Sequence, residues 1–117
     1  MPEYTSRVYQ VGNRWEYQVL QDGAVSIHQD YHPDDPGHFA MSQASATAWA
    51  AEAIAQCVYN DAQQVFLASL LTAEDAARSN DADKLAAAKA ASFAAQAAAL
   101  TAQAALTAAN ATAVATV

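Results

Sequence analysis

The sequence predicts an α+β fold: a small N-terminal antiparallel three-stranded meander packed on a helix, followed by a long alanine-rich C-terminal helix. Three observations predict it. Around Trp15, Tyr17 and Val19 the chain alternates large apolar and polar residues with a period of two. From Ala46 onward the apolar residues recur at steps of three and four instead. And of the 33 alanines among 117 residues, 32 lie at or beyond position 40, so the two ends of the chain obey different physics.

The strands come first. In Arg14-Trp15-Glu16-Tyr17-Gln18-Val19-Leu20, the residues Trp15, Tyr17 and Val19 share one face and Glu16 and Gln18 the other. Gly12-Asn13 precedes this segment and Asp22-Gly23 follows it, both suited to tight turns that need positive φ. The flanking strands are Tyr4–Val11 and Ala24–Gln29, the latter with Val25 and Ile27 on one face. Residues 30–38, Asp-Tyr-His-Pro-Asp-Asp-Pro-Gly-His, can continue neither period. Pro33 and Pro36 lack backbone donors and restrict the residues before them, which predicts a loop.

Ser42 is placed to cap a helix over residues 43–71. Its expected stripe is Ala46, Trp49, Ala50, Ala53, Ile54, Cys57 and Val58, extended by Ala62, Val65, Phe66 and Leu70. This stripe is the natural cover for the aromatic face of the sheet, because a small meander alone is marginally stable. Thr72-Ala-Glu-Asp75 reads as a cap that restarts a helix, and Arg78-Ser-Asn-Asp-Ala-Asp83 as an interruption. From Lys84 the chain is helical by propensity, since alanine is the best helix former. The expected division is a head over residues 1–71 and a helical assembly segment over 72–117.

Charge narrows the function. The formal net charge is −7, and only Arg7, Arg14, Arg78, Lys84 and Lys89 are basic. Nucleic-acid binding needs clustered Lys and Arg, so it is not expected, and an anionic membrane surface is disfavoured too. Cys57 is the only cysteine, which rules out an intrachain disulfide and predicts a buried thiol in the helix. Residues 1–20 contain no basic start followed by an apolar run, so no cleaved export signal is expected and synthesis in a reducing cytoplasm follows. No serine or cysteine has a partnered base, so no catalytic residue, cofactor or enzyme activity is expected.

After Lys89 no charged residue occurs for 28 positions. Gln96, Thr101, Gln103, Thr107, Asn110, Thr112 and Thr116 make this tail too polar for a membrane span. Phe93, Leu100, Thr107 and Val114 recur at seven-residue spacing, as do Lys89, Gln96, Gln103, Asn110 and Val117. A sustained period of seven points to a left-handed coiled coil. The expectation is that the tail self-associates as a parallel trimer around Phe93, Leu100, Thr107 and Val114. Gln96, Gln103 and Asn110 would then pair across chains.

Arg7–Gln29, the Asp30–His38 loop and the Met41-Ser-Gln-Ala helix opening together resemble, in layout, small accessory virion proteins of tailed bacteriophages. The resemblance covers about half the chain and has no diagnostic motif. It implies a structural or attachment role without catalysis, in a fibre, collar or decoration component, with other virion proteins as partners. The alternative is an assembly chaperone or adaptor that docks its C-terminal helix on another protein. A narrower resemblance joins Leu100-Thr-Ala-Gln and Ala105-Leu-Thr-Ala-Ala-Asn-Ala111 to alanine-rich fish antifreeze helices. Those carry threonines eleven apart and no β module. Here only Thr101 and Thr112 keep that spacing, and ice binding is not expected.

His28, His32 and His38 lie near Asp30, Asp34 and Asp35, which are residue types that zinc accepts. Their spacing matches no metal signature, and the plain reading is a polar turn with no metal.

Overall fold

The structure, a computed structural model, describes residues 2–29 and 42–116. Three strands, β1 (Tyr4–Val11), β2 (Arg14–Gln21) and β3 (Ala24–Gln29), are followed by two helices, α1 (Gln43–Arg78) and α2 (Ala82–Val114). The α+β layout is the one the two periodicities predict. The loop expected over residues 30–38, with His32 and His38, lies outside the described residues.

The strands form an antiparallel sheet in the order β1-β2-β3. Both turns sit where the glycines place them. Gly12 has a φ of 64°, while Asp22 and Gly23 both have positive φ, at 51° and 86°, as a type I′ hairpin requires. Asp22 also closes the sheet's end: its carboxylate accepts from the backbone N–H of Glu3, and its own N–H donates to the Glu3 carbonyl.

Register puts Tyr17 opposite Val8 and Val19 opposite both Ser6 and Ile27. Tyr17 and Val19 are buried against Ala50 and Ala53 of α1, with Tyr4, Val8, Ile27, Trp49 and Ile54 packed around them. Burying a side chain of this size is worth about 1.5–3 kcal/mol, so these contacts hold sheet and helix together. Two expectations change here. Trp15 lies beside the Gly12-Asn13 turn opposite exposed Gln10, and it is half-buried outside this cluster. In β3 an irregularity between Val19 and Leu20 pairs Leu20 with Val25 and Val19 with Ile27. The extra residue, Ser26, turns Val25 to the outer face, where it is exposed, so Val25 and Ile27 do not share a face.

Helix α1 starts as expected, with the Ser42 hydroxyl accepting the N–H of Ser45 at 3.1 Å. It does not stop near residue 71. The Thr72 hydroxyl donates to the Ala68 carbonyl inside the helix, so Thr72 is an interior residue and the restart expected at Thr72-Asp75 is absent. The helix ends at Arg78, within the interruption that the sequence marks. Asn80 takes the left-handed conformation there, with φ 56°, and Ser79 donates to the Ala76 carbonyl. Asp81 caps α2, its carboxylate accepting the N–H groups of Asp83 and Lys84 at 3.1 Å each.

The expected α1 stripe is correct only in part. Ala46, Ala50, Ala53 and Ala62 are buried, and Trp49, Ile54 and Phe66 half-buried. Val58, Val65 and Leu70 are exposed. Cys57 is half-buried rather than fully enclosed. The reason is that α1 buries two different sides along its length, and a single averaged stripe blends them.

The chain forms two compact units, Met1–Cys57 with Leu106–Val117, and Val58–Ala105. The first holds the sheet and its core. The second holds a helical hairpin, in which Ala62 of α1 packs with Ala99 and Ala102 of α2 and Tyr59 covers them. No helix among the described residues is long and apolar enough to cross a membrane.

Candidate assembly surface on the second helix

Alanine has no side chain beyond Cβ, so it permits close helix approach but offers little area to bury. On α2 the buried and half-buried residues are Leu85, Ala88, Ser92, Ala95, Ala99, Ala102, Leu106, Ala109 and Ala113, with Thr116 in the turn just past its end. They follow one another at alternating steps of three and four, a heptad seam of mostly small residues. On α1, Tyr59, Ala62, Phe66, Ser69, Ala73 and Ala76 keep the same steps and are likewise buried or half-buried. In the hairpin unit each helix therefore turns a heptad seam to the other. The seven-residue period of the tail is real, and its enclosed seam belongs to contacts within the chain.

The row expected to face other chains is a different one. Phe93 is 71% exposed, Leu100 59% and Val114 56%, and Thr107 is exposed with them. Gln96, Gln103 and Asn110 are exposed too. All seven residues thus lie on the solvent side of α2. Large apolar residues in water, on a helix whose seam is filled by alanine, are the inverse of the usual pattern. Among the described residues Phe93, Leu100 and Val114 are the large hydrophobic side chains past Lys89 that are exposed, and no charged residue follows Lys89.

Other groups with chemical capacity sit in the sheet. Glu16 is 5% exposed, and its carboxylate accepts from Arg14 Nε at 3.4 Å. It lies on the face opposite Tyr17, where alternation alone puts a solvated acid. The charge-opposite Arg14 two residues before it was the available signal. On the same face the Gln18 side-chain oxygen is enclosed without a hydrogen-bond partner among the described residues. Burial, and secondarily the nearby Glu52 charge, push the Tyr17 hydroxyl above the ordinary tyrosine range.

Of the candidate metal ligands, His28 pairs with Gln18 in the sheet register, and His32 and His38 lie outside the described residues. Among the described residues no group of three or more His, Cys, Asp or Glu side chains comes together. Near the start of α1, residues Gln43, Ala44, Thr47, Ala48 and Ala51 line a shallow groove of about 580 Å³ with Thr112 and Thr116. The hydroxyls of Thr47 and Thr112 donate to carbonyls of their own helices, and that of Thr116, just past α2, to the Ala113 carbonyl, which leaves the groove without free donors from these threonines.

Comparison with family models, with curated proteins and with solved structures finds no match to this chain.

Proposed function

We propose that this chain is a non-enzymatic structural component of a bacteriophage particle, a fibre, collar or decoration protein, and that it assembles with copies of itself through α2. The observation that carries the assembly half is the row Phe93, Leu100 and Val114, exposed on a helix with no charge after Lys89. Removing such a surface from water is worth about 25 cal/mol per Å² of apolar area, and monomers rarely leave it open. The layout resemblance to accessory virion proteins supports the particle half. The protein would be made in the host cytoplasm and carried in the virion, with no cofactor, nucleic acid or membrane among its partners.

The test is proteomics of purified particles together with the solution mass of the isolated chain. A virion part occurs in a fixed, symmetric copy number in finished particles. A chain that is monomeric in solution and missing from finished particles belongs instead to the adaptor class, with α2 docked on another protein during assembly.

A further inference from the structure

Within the hairpin unit, the register set by Ala62 against Ala99 and Ala102 carries Leu67 and Leu70 of α1 to the level of Phe93 of α2. In the heptads of an antiparallel pair, Leu70 lies just outside the seam, and Leu67, Phe93 and Leu100 lie further round on the same flank. Leu67 is 54% and Leu70 44% exposed, beside the strongly exposed Phe93 and Leu100. The flank is thus a layer two helices wide in which four large apolar side chains stand among the uncharged amides Gln63, Gln96 and Gln103. Val58 and Val65 are exposed on the opposite flank.

Charge selects the occupant. On this flank the heptad places one acid, Glu74, which also pairs with Arg78 of its own helix, and one base, Lys89, whereas the whole chain carries −7. A basic partner would be drawn to the acidic surfaces elsewhere on the molecule. Two copies of this chain meeting here bring Glu74 against Lys89 and oppose no like charges.

Shape agrees. We infer that this flank seats a second copy of the same hairpin about a two-fold axis parallel to the helices, making a four-helix interface. That rotation lays α1 of one copy over α2 of the other. Phe93 then meets Leu67 and Leu70 of the second copy, and Glu74 meets Lys89. The contact is self-complementary, as an isologous interface must be. Helices of this length give a flank about 30 Å long and about 20 Å wide, roughly 600 Å² per copy, near the footprint of a standard stable interface. A three-fold bundle of α2 alone would leave Leu67 and Leu70 in water. The inference rests on the self-association proposed above and not on placement in a particle.

The experiment is sedimentation equilibrium of the full-length protein over a wide concentration range, with helix content followed by far-UV circular dichroism. Wild type should sediment as a dimer. The α1 variant Leu67→Glu/Leu70→Glu should weaken dimerisation at least tenfold with helix content intact, as should Leu100→Glu on α2. Val65→Glu, on the opposite flank, should leave the dimer unchanged within about twofold. If Leu100→Glu dissociates the assembly while Leu67→Glu/Leu70→Glu does not, or if wild type is a trimer, the two-helix flank is wrong and self-association through α2 stands. A wild-type monomer at every concentration overturns both.

Discussion

The core under the sheet and the seam of the hairpin solve one problem in opposite ways. Under the sheet, large side chains on the strands, Tyr17 and Val19, press into small ones on the helix, Ala50 and Ala53. In the hairpin, small meets small: Ala62, Ala99 and Ala102 close the seam, and large residues such as Leu67, Leu100 and Phe93 are left outside. The first arrangement is held by buried area, the second by close helix approach. Each should therefore fail to a different kind of substitution, shrinkage in one and enlargement in the other.

The largest effect is expected under the sheet. Tyr17→Ala should cost about 3–5 kcal/mol, because an enclosed aromatic leaves both lost transfer energy and a cavity. Trp15→Ala, removing a larger but half-buried ring, should cost clearly less. Urea unfolding of the two variants checks this, and equal losses would mean that Trp15 belongs to the core after all.

Enlargement should injure the hairpin next. Ala99→Leu forces extra methylenes into a closed seam and should cost about 1–3 kcal/mol. Phe93→Ala, on the outer side of the same helix, should change the stability of the monomer by no more than about 0.5 kcal/mol. Thermal unfolding at concentrations low enough to keep the chain monomeric makes the comparison. A destabilising Phe93→Ala under those conditions would place that ring inside the fold.

The turn joining the hairpin's helices depends on a single carboxylate. Asp81→Ala removes the acceptor for two N–H groups and should cost about 1 kcal/mol, while Asp81→Asn should retain most of it. Hydrogen exchange at Asp83 and Lys84 should quicken in the alanine variant only.

The smallest effect is a pH dependence confined to the sheet core. The Tyr17 hydroxyl titrates above its ordinary value in the folded chain, chiefly through burial. The folded state thus holds its proton where the unfolded chain has lost it. The associated stability is fully present below the ordinary tyrosine range and is lost as pH rises through it toward the folded value. Tyr17→Phe should remove this alkaline component. An unchanged slope in that variant would assign the loss to another group.

Much of this was legible along the chain. The three strands, both turns, the Ser42 cap and the break around Ser79–Asp81 follow from local chemistry, since alternation, glycine or aspartate at positive φ, and short polar caps each act within a few residues. The burial of Tyr17 and Val19 was legible for the same reason. The bulge that separates Val25 from Ile27 was not, because a strand's own pattern carries no mark of one extra residue against its neighbour. Nor was the continuation of α1 through Thr72, since a threonine hydroxyl can cap a helix or bond back within one. The buried Glu16 depends on what lies over the sheet's outer face, which alternation does not report.

The seven-residue repeat of the tail shows the division most clearly. Composition and spacing by themselves determined that residues beyond Lys84 form a helix with a heptad period and no charge to keep it in water. They could not determine which heptad row would be enclosed, because in an alanine-rich helix several rows keep the same spacing. The tertiary structure decided that. Packing against α1 favours the row that allows closest approach, so the alanines turned inward, and Phe93, Leu100 and Val114 were left on the outside.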